Sequence, residues 1–477
     1  MPKLTIDGKL IEVEDGTTIL EAAKRLGIKI PHYCYHPALT IAGNCRMCVV
    51  EVEGQSKPVI SCREAVKEGM VVHTKSPMAI EMRRSVLEFQ LINHPVDCPV
   101  CDQSGECWLQ DYYFEHSRQS SRLIEEKVHK PKAVRIGPNV MLDAERCVEC
   151  TRCIRFCDEI TKTHEMTMED RSDHSTISIY PRRQLDNPYS LCTVDLCPVG
   201  ALTSADFRFK KRVWFLTSTP SICNWCSTGC NIFIDSHDGI VYRYRPRENS
   251  DVNGAWLCDA GKLSYKQIHA DNRVFYPLIT IDDEFRRVSW DEAILKLQES
   301  MKETKPEEIV GILSARATVE ENEAFALFLR EKIETTNLCW SGLDSDSGFG
   351  DQLIRDADRN PNVRGVTAIT EKRFDQTPNA KGYFILDGVT DEELMKIVSS
   401  KPDWIVLIAS HYDEKRRYPT VILPKATFAE QSGTFVNRKG MKQRFEKAIE
   451  PKGESLSGTE IAERLNYSLS PGGRGPG

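Results

Sequence analysis

Residues 94–107, HPVDCPVCDQSGEC, place one histidine and three cysteines in the order His-x3-Cys-x2-Cys-x5-Cys. Three thiolates alone leave one corner of a metal site open, and His94 is the nearest side chain able to fill it beside Cys98, Cys101 and Cys107. Zinc accepts the same donor set of three cysteines and one histidine, and a histidine beside Pro95 can also be a plain surface residue. The choice is made by what lies on either side.

Seventeen of the eighteen cysteines fall in the first 258 residues, and fifteen of them form four groups. Upstream, HYCYHPALTIAGNCRMCVVEVEG (32–54) and a later Ser-Cys supply Cys34, Cys45, Cys48 and Cys62. The ligand order follows plant-type [2Fe–2S] ferredoxins, with a longer first gap, and Ala42 and Gly43 suit close backbone approach. Downstream, RCVECTRCIRFCDEI (146–160) gives Cys147, Cys150 and Cys153 as three corners of a [4Fe–4S] site. Bacterial ferredoxins place the remaining ligand before a proline. Here Cys157 precedes Asp158, whereas Cys197 precedes Pro198, so Cys197 is expected as the fourth ligand and Cys157 and Cys192 as spare, buried thiols. The last group is SICNWCSTGCNIFI (221–234) with WLCDAGK (256–262), supplying Cys223, Cys226, Cys230 and Cys258. Each group taken alone also fits zinc; in company, the His94 group and its neighbours read as iron–sulfur. A neutral imidazole in place of one thiolate makes a cluster less negative, which by itself raises its potential.

Patterning around the groups sets the architecture. Leu4, Ile6, Leu10 and Val13 flank the turn pair Asp7-Gly8, a hairpin signal. Thr18 and Glu21 form a capping box and Gly27 a helix stop. Strand-like runs at 49–52, 59–61 and 71–73 complete a β-grasp domain over 1–78. A helical pattern through Met82, Val86 and Phe89 leads into the loop with the histidine and three cysteines (79–117), and polar residues 118–137 read as a linker. The third group occupies 138–212 and the fourth 216–272. From 273 to 450, a capping box at Ser289 and Glu292 and apolar runs at 309–313, 384–386, 405–408 and 421–423 predict an α/β domain with a parallel sheet. Cys339 is expected in its core, charged runs at 391–393 and 415–417 on solvated faces, and 470–477 (SPGGRGPG) as a disordered tail. The fold class is therefore multidomain α+β.

The net charge of −7 argues against nucleic acid, which demands a basic face. No apolar run reaches the ~18–20 residues of a membrane span, and the start, MPKLTIDGKLIEVEDG, is expected to be a strand pattern rather than an export signal. In a reducing compartment paired cysteines are metal ligands rather than cystines. No G-x-G-x-x-G follows a predicted strand and no phosphate-binding G-x-x-x-x-G-K-[ST] occurs; the lone Gly-x-Gly at 348–350 is expected as a turn.

The order of the groups, with HPVDCPVCDQSGEC and CPVGALTS (197–204), resembles the large iron–sulfur subunit of respiratory complex I, the G-type or 75 kDa-type subunit. The likeness is specific over 1–270. Beyond 273 it is looser and suggests a shortened molybdopterin-oxidoreductase-like domain, most visible in LPKATFAEQSGTFVNRKG (423–440). The resemblance implies one [2Fe–2S] cluster on Cys34, Cys45, Cys48 and Cys62, and three [4Fe–4S] clusters on the remaining groups; in that family the last is often described as off the main path. Molybdopterin enzymes carry a basic residue two positions after the last cluster cysteine; here that position is Ala260. No molybdenum is then expected on this chain, and without a glycine-rich phosphate motif no flavin or nucleotide either. The implied partners are a flavin and NADH-binding subunit with its small [2Fe–2S] companion, and quinone-side subunits of a peripheral arm. The implied location is peripheral, on the cytoplasmic side of the cell membrane. The alternatives are the electron-transfer subunit of a soluble NAD-linked hydrogenase or formate dehydrogenase and, in another class, a zinc-stapled interaction protein.

Overall fold

The structure is a computed structural model that describes residues 1–117, 120–375, 380–413 and 418–469; the expected tail (470–477) and the charged run 415–417 lie outside them. The chain divides into two compact units, Met1–Phe215 and Leu216–Gly477.

The first unit opens with a hairpin of β1 (Lys3–Ile6) and β2 (Lys9–Glu12). Asp7 (φ 48°) and Gly8 (φ 81°) both sit in the left-handed region, which the tight two-residue turn requires. Helix α1 (Ile19–Arg25) is capped reciprocally by Thr18 and Glu21. Strands β3 (Val49–Val52), β4 (Val59–Ile60) and β5 (Met70–His73) complete a sheet of order β2-β1-β5-β3-β4, with β1 and β5 parallel. Ile6, Ile19, Ala22, Val50 and Val72 fill the space between sheet and helix, the core of the anticipated β-grasp. Leu10 breaks the pattern and stands exposed on β2.

Helix α2 (Pro77–Leu91) starts at Ser76, which caps it, and at Pro77, whose fixed φ suits a first helical position. It buries Ala79, Arg83, Val86 and Leu87 and turns Met82 and Phe89 outward. Helix α3 (Trp108–His116) packs on it. Residues 120–137, read as a linker, are held to the unit instead: Lys127 Nζ donates to the carbonyls of Leu91 and His94, and Lys130 Nζ to Ser175 O. Strands β6 (Val134–Arg135) and β7 (Val140–Leu142) lead to α4 (Arg152–Arg155), which continues into one wider π-helical turn, Phe156–Ile160. A hairpin of β8 (Met166–Glu169) and β9 (Thr176–Ile179), then α5 (Cys192–Leu196) and β10 (Leu202–Ser204), close the unit, β10 pairing with β7.

The second unit begins with an antiparallel sheet of β11 (Thr217–Ile222), β12 (Asn231–His237) and β13 (Ile240–Pro246), followed by α6 (Asp259–Leu263). The hairpin β14 (Leu278–Ile281) and β15 (Glu284–Arg287) and helix α7 (Trp290–Met301) precede β16 (Ile309–Ser314), α8 (Val319–Glu331), β17 (Leu338–Ser341) and α9 (Val363–Thr367). Then come β18 (Gly382–Leu386), α10 (Asp391–Ser399), β19 (Trp404–Ala409) and β20 (Val421–Pro424). The sheet order is β15-β14-β20-β19-β18-β16-β17, parallel from β20 to β17. Leu313, Leu386 and Val406 enter the core on one face, and Ile312, Ile385 and Leu407 that on the other. Parallel strands covered on both faces are apolar at every position, which is why these runs stand out in the sequence. A hairpin of β21 (Gly433–Val436) and β22 (Lys442–Phe445) and helix α11 (Gly458–Ser468) complete the unit, with Ile461 and Leu465 in the first core. Cys339 is buried on β17, as expected.

Candidate metal centres

Cys34, Cys45, Cys48 and Cys62 come from the loop after α1, the start of β3 and the end of β4, and all four are buried. Their sulfurs converge: Cys34 lies within hydrogen-bond reach of the Cys45 and Cys62 thiols, and Cys48 of Cys62. The thiol protons of Cys45 and Cys62 hold Cys34 far below the usual thiol range, and Cys62 brings Cys48 down to about 7. Cys45 and Cys62 are pushed up in turn. Four buried sulfurs contending for negative charge are a donor set that a cationic metal group would satisfy, because it stabilises every thiolate at once. Gly43 (φ 64°) takes the loop past Ile60, whose Cδ1 would lie 3.3 Å from an added Cβ.

Cys98 and Cys101 flank a short 3-10 turn, Cys107 caps α3, and the three interact electrostatically. His94 follows α2. Burial pushes its imidazole down to about 4, with Asp97 opposing, so it is neutral at physiological pH. Its strongest electrostatic neighbours are Asp97, Lys127, Arg146 and Lys132 rather than the cysteines, and its Nδ1 accepts from Val96 N at 3.0 Å. The three thiols are soft donors near enough to interact, the donor chemistry a metal group would use. At His94 the Val96 bond would have to be exchanged, whichever ring nitrogen served as ligand.

Cys147, Cys150, Cys153 and Cys197 line one small cavity closed by Leu142, Ile177, Val199 and Leu202. Cys157 and Cys192, the two spare cysteines, are buried but are not among its lining residues. Cys157 sits on the π-helical turn, accepts from the backbone of Glu165 and Met166, and is driven up to about 12 by burial. Glu149 (φ 51°) and Thr151 (φ 60°) take the left-handed backbone that wraps this loop around the cavity.

In the second unit Cys223 ends β11, Cys226 and Cys230 precede β12, and Cys258 caps α6 by accepting Gly261 N at 3.3 Å. Burial, then repulsion from other cysteines of the group, raises Cys223 and Cys230 well above the ordinary thiol value. A Cβ on Gly261 would stand 3.2 Å from Cys223 Sγ and 3.4 Å from Cys258 Sγ. Among the described residues no three His, Cys, Asp or Glu side chains are arranged to hold a single ion.

The sequence reading missed the arginines. Arg152 donates to the carbonyls of Tyr35 and Leu196 and lies 4.6 Å from the Trp108 ring centroid, so it contacts the residues beside Cys34, Cys197 and Cys107. Arg155 bridges the carbonyls of Cys34 and Cys150. Their only trace in the sequence is the alternation Arg152-Cys153-Ile154-Arg155. The three groups also share one apolar cluster, which contains Cys34, Cys45 and Cys150 with Cys107, Cys147 and Cys197 packed on it. Trp108 N donates to Pro198 O at 2.9 Å, and a Cβ on Gly200 would fall 2.3 Å from Cys101 Sγ.

Cysteine groups on a β-grasp, on the helices and loops that follow it and on the antiparallel sheet opening the second unit have the arrangement of a multi-centre iron–sulfur protein. Family models match in the same order: a 2Fe-2S iron-sulfur cluster binding domain (2–77), the NADH-ubiquinone oxidoreductase-G iron-sulfur binding region (83–122), and the ferredoxin-like domain of NADH-quinone oxidoreductase subunit 3 (137–203). A molybdopterin oxidoreductase Fe4S4 domain (216–270) and a molybdopterin oxidoreductase domain (357–466) follow. The G subunit of the NADH-quinone oxidoreductase of Rickettsia bellii is 43% identical over 331 residues, 69% of this chain and 48% of the relative. The mitochondrial NADH dehydrogenase [ubiquinone] iron-sulfur protein 1 of Solanum tuberosum is 39% identical over 338 residues, 71% of this chain and 45% of the relative. A chain of the NAD+-reducing [NiFe]-hydrogenase in the H2-reduced state is 29% identical with a TM-score of 0.41, covering 44% of this chain and 91% of that one. The chain carries, in the same order, the iron–sulfur domains of NADH-quinone oxidoreductase G subunits, to which it is similar over about 70% of its length. It spans about half the length of the curated relatives it matches.

Proposed function

We propose that this chain is the electron-relay subunit of an NADH:quinone oxidoreductase. It would stand between a flavin subunit that takes electrons from NADH, with its small [2Fe–2S] companion, and quinone-side subunits of a peripheral arm on the cytoplasmic face of the cell membrane. The observation that carries this reading is the single apolar cluster shared by the three cysteine groups of the first unit. A relay needs its redox groups dry and close; a set of independent zinc staples has no such requirement.

Cys34, Cys45, Cys48 and Cys62 would hold one [2Fe–2S] cluster. Cys98, Cys101 and Cys107 with His94, then Cys147, Cys150, Cys153 and Cys197, then Cys223, Cys226, Cys230 and Cys258, would hold three [4Fe–4S] clusters. The domains that carry them would be 1–78, 79–117, 138–212 and 216–272, with 273–450 as scaffold. When bound, such clusters supply one-electron redox chemistry. The chain's own part is to exclude water, to donate backbone N–H groups to sulfur, as Tyr33 N does to Cys45 at 3.4 Å and Glu149 N to Cys147 at 3.3 Å, and to offset thiolate charge with buried Arg152. Among the described residues no helix is long and apolar enough to cross a membrane, which suits a peripheral subunit.

The test is Cys150→Ala in the assembled complex. It is expected to abolish NADH-driven quinone reduction while NADH oxidation by ferricyanide, which takes electrons at the flavin subunit, persists. Quinone reduction at the wild-type rate would remove the third group from the path.

A further inference from the structure

Two buried guanidinium groups of the first unit lack a counter-charge. Arg83, 3% exposed on α2, donates through Nη2 to Val49 O at 2.8 Å. Arg152, also 3% exposed, donates to Leu196 O at 3.1 Å and to Tyr35 O, and lies over the Trp108 ring. Among the described residues neither meets a carboxylate, and each keeps a buried Nε with no hydrogen-bond partner. Other buried cations do meet one: Arg146 has Asp97 and Asp143, Arg273 has Glu430, and Lys425 has Glu321 and Asp387. A buried charge left unpaired is strongly destabilising, so a partner is called for.

The surroundings say where that partner lies. Val49 follows Cys48, Tyr35 follows Cys34 and Leu196 precedes Cys197, so every carbonyl anchor sets a guanidinium beside a thiol of the first or the third group. Cys48 attracts Arg83 more strongly than Glu115 or Asp7 does. Cys150, Cys197 and Cys34, in that order, attract Arg152, which lines the cavity of the third group. Both cations are permanent, because a guanidinium does not lose its proton in a protein. An electron arriving at either group from the flavin side adds one negative charge, moves no proton and breaks no bond; it leaves again toward the quinone side. A fixed cation nearby favours the reduced state of such a group, since net charge sets its potential.

We propose that Arg83 and Arg152 are positioning residues of the relay, the buried counter-charges that raise the reduction potential of the first group (Arg83) and of the third and, less strongly, the first (Arg152). The inference rests on the electron-relay reading.

An EPR-monitored redox titration of the anaerobically purified, iron-loaded protein tests it. Arg152→Gln should lower the midpoint of the tetranuclear signal that Cys197→Ala removes by about 59 mV or more, a tenfold change in a one-electron equilibrium, and lower the binuclear midpoint less. Arg83→Gln should lower the binuclear midpoint and leave that tetranuclear midpoint where it was. Arg83→Lys and Arg152→Lys keep the charge and should stay closer to the wild type than the glutamine variants. Arg83, on α2 outside every cysteine loop, decides the matter if Arg152→Gln does not take up iron. Midpoints unmoved with every signal present, or equal shifts in the lysine and glutamine variants, overturn the inference and leave the relay reading standing. Wild-type protein without any iron–sulfur signal overturns the relay reading and this inference with it.

Discussion

Arg155 donates through Nη2 to the carbonyl oxygen of Cys34 at 2.6 Å, and the same nitrogen reaches Cys150 O at 3.2 Å. One guanidinium thus fixes the backbone at a cysteine of the first group and at one of the third. Arg155→Met should cost about 1.5–3 kcal/mol, the range for hydrogen bonds to a charged donor. It should also shift the EPR signals assigned to both groups, with Arg155→Lys intermediate because one point of charge cannot replace a fork. A shift confined to one signal would show that the bridge does not couple the two sites.

Gly200 and Gly261 both approach sulfurs, at different clearances. A Cβ at Gly200 would meet Cys101 Sγ at 2.3 Å, and one at Gly261 would meet Cys223 Sγ at 3.2 Å. Gly200→Ala should therefore lower the iron content, by loss of the His94 group, whereas Gly261→Ala should retain full iron. Iron analysis of the two purified variants checks this; equal iron in both would mean the loop at Gly200 yields.

Asp235, 1% exposed in its side chain, is bound by Arg243 Nε at 2.8 Å and Arg245 Nε at 2.6 Å, with Ser218 as a third donor. Burial alone would raise its pKa, but the two guanidinium groups hold it below the ordinary 3.8. A depressed carboxyl contributes stability that is complete above pH 3.8 and lost as pH falls through the lower folded-state value. Asp235→Asn should cost about 2–3 kcal/mol at neutral pH, less than for a fully buried pair because the arginines are partly exposed. Urea unfolding at stepped pH should show the gap between wild type and variant closing only below pH 3.8.

How much of this was visible in the sequence depends on whether the signal was local. The capping boxes at Thr18/Glu21 and Ser289/Glu292 and the Asp7-Gly8 turn are short-range devices, and each stands where expected. Strands β16, β18, β19 and β20 were legible because burial on both faces makes them apolar throughout. Strand β15 reads EFRR, an edge strand with mostly exposed side chains, and gave no such signal. In α2 the apolar Met82 and Phe89 face outward while Arg83 is buried, donating to Val49 O at 2.8 Å, so tertiary pairing overrode hydropathy. Glu393, read as part of a solvated run, is buried as the capping-box partner of Thr390 in the first turn of α10 and accepts from Ser341 Oγ at 2.5 Å. Within the expected linker, residues 120–137 are largely irregular and exposed, yet Lys127 and Lys130 answer carbonyls far away in sequence, which no local signal announces.

The choice between Cys197 and Cys157 has a direct test. Cys197 shares the cavity with Cys147, Cys150 and Cys153, and Cys157 is occupied by backbone donors from Glu165 and Met166. Cys157→Ser should leave every EPR signal in place, and Cys197→Ala should remove one tetranuclear signal. The reverse outcome would transfer the ligand role to Cys157.

Whether these cysteine groups hold redox-active iron is settled most directly by iron and acid-labile sulfide analysis of anaerobically purified protein, joined to low-temperature EPR after reduction. The expected result is a brown protein with equimolar iron and sulfide, one binuclear centre and three tetranuclear centres. Colourless protein carrying stoichiometric zinc, with no iron and no EPR signal, would contradict the electron-relay reading outright.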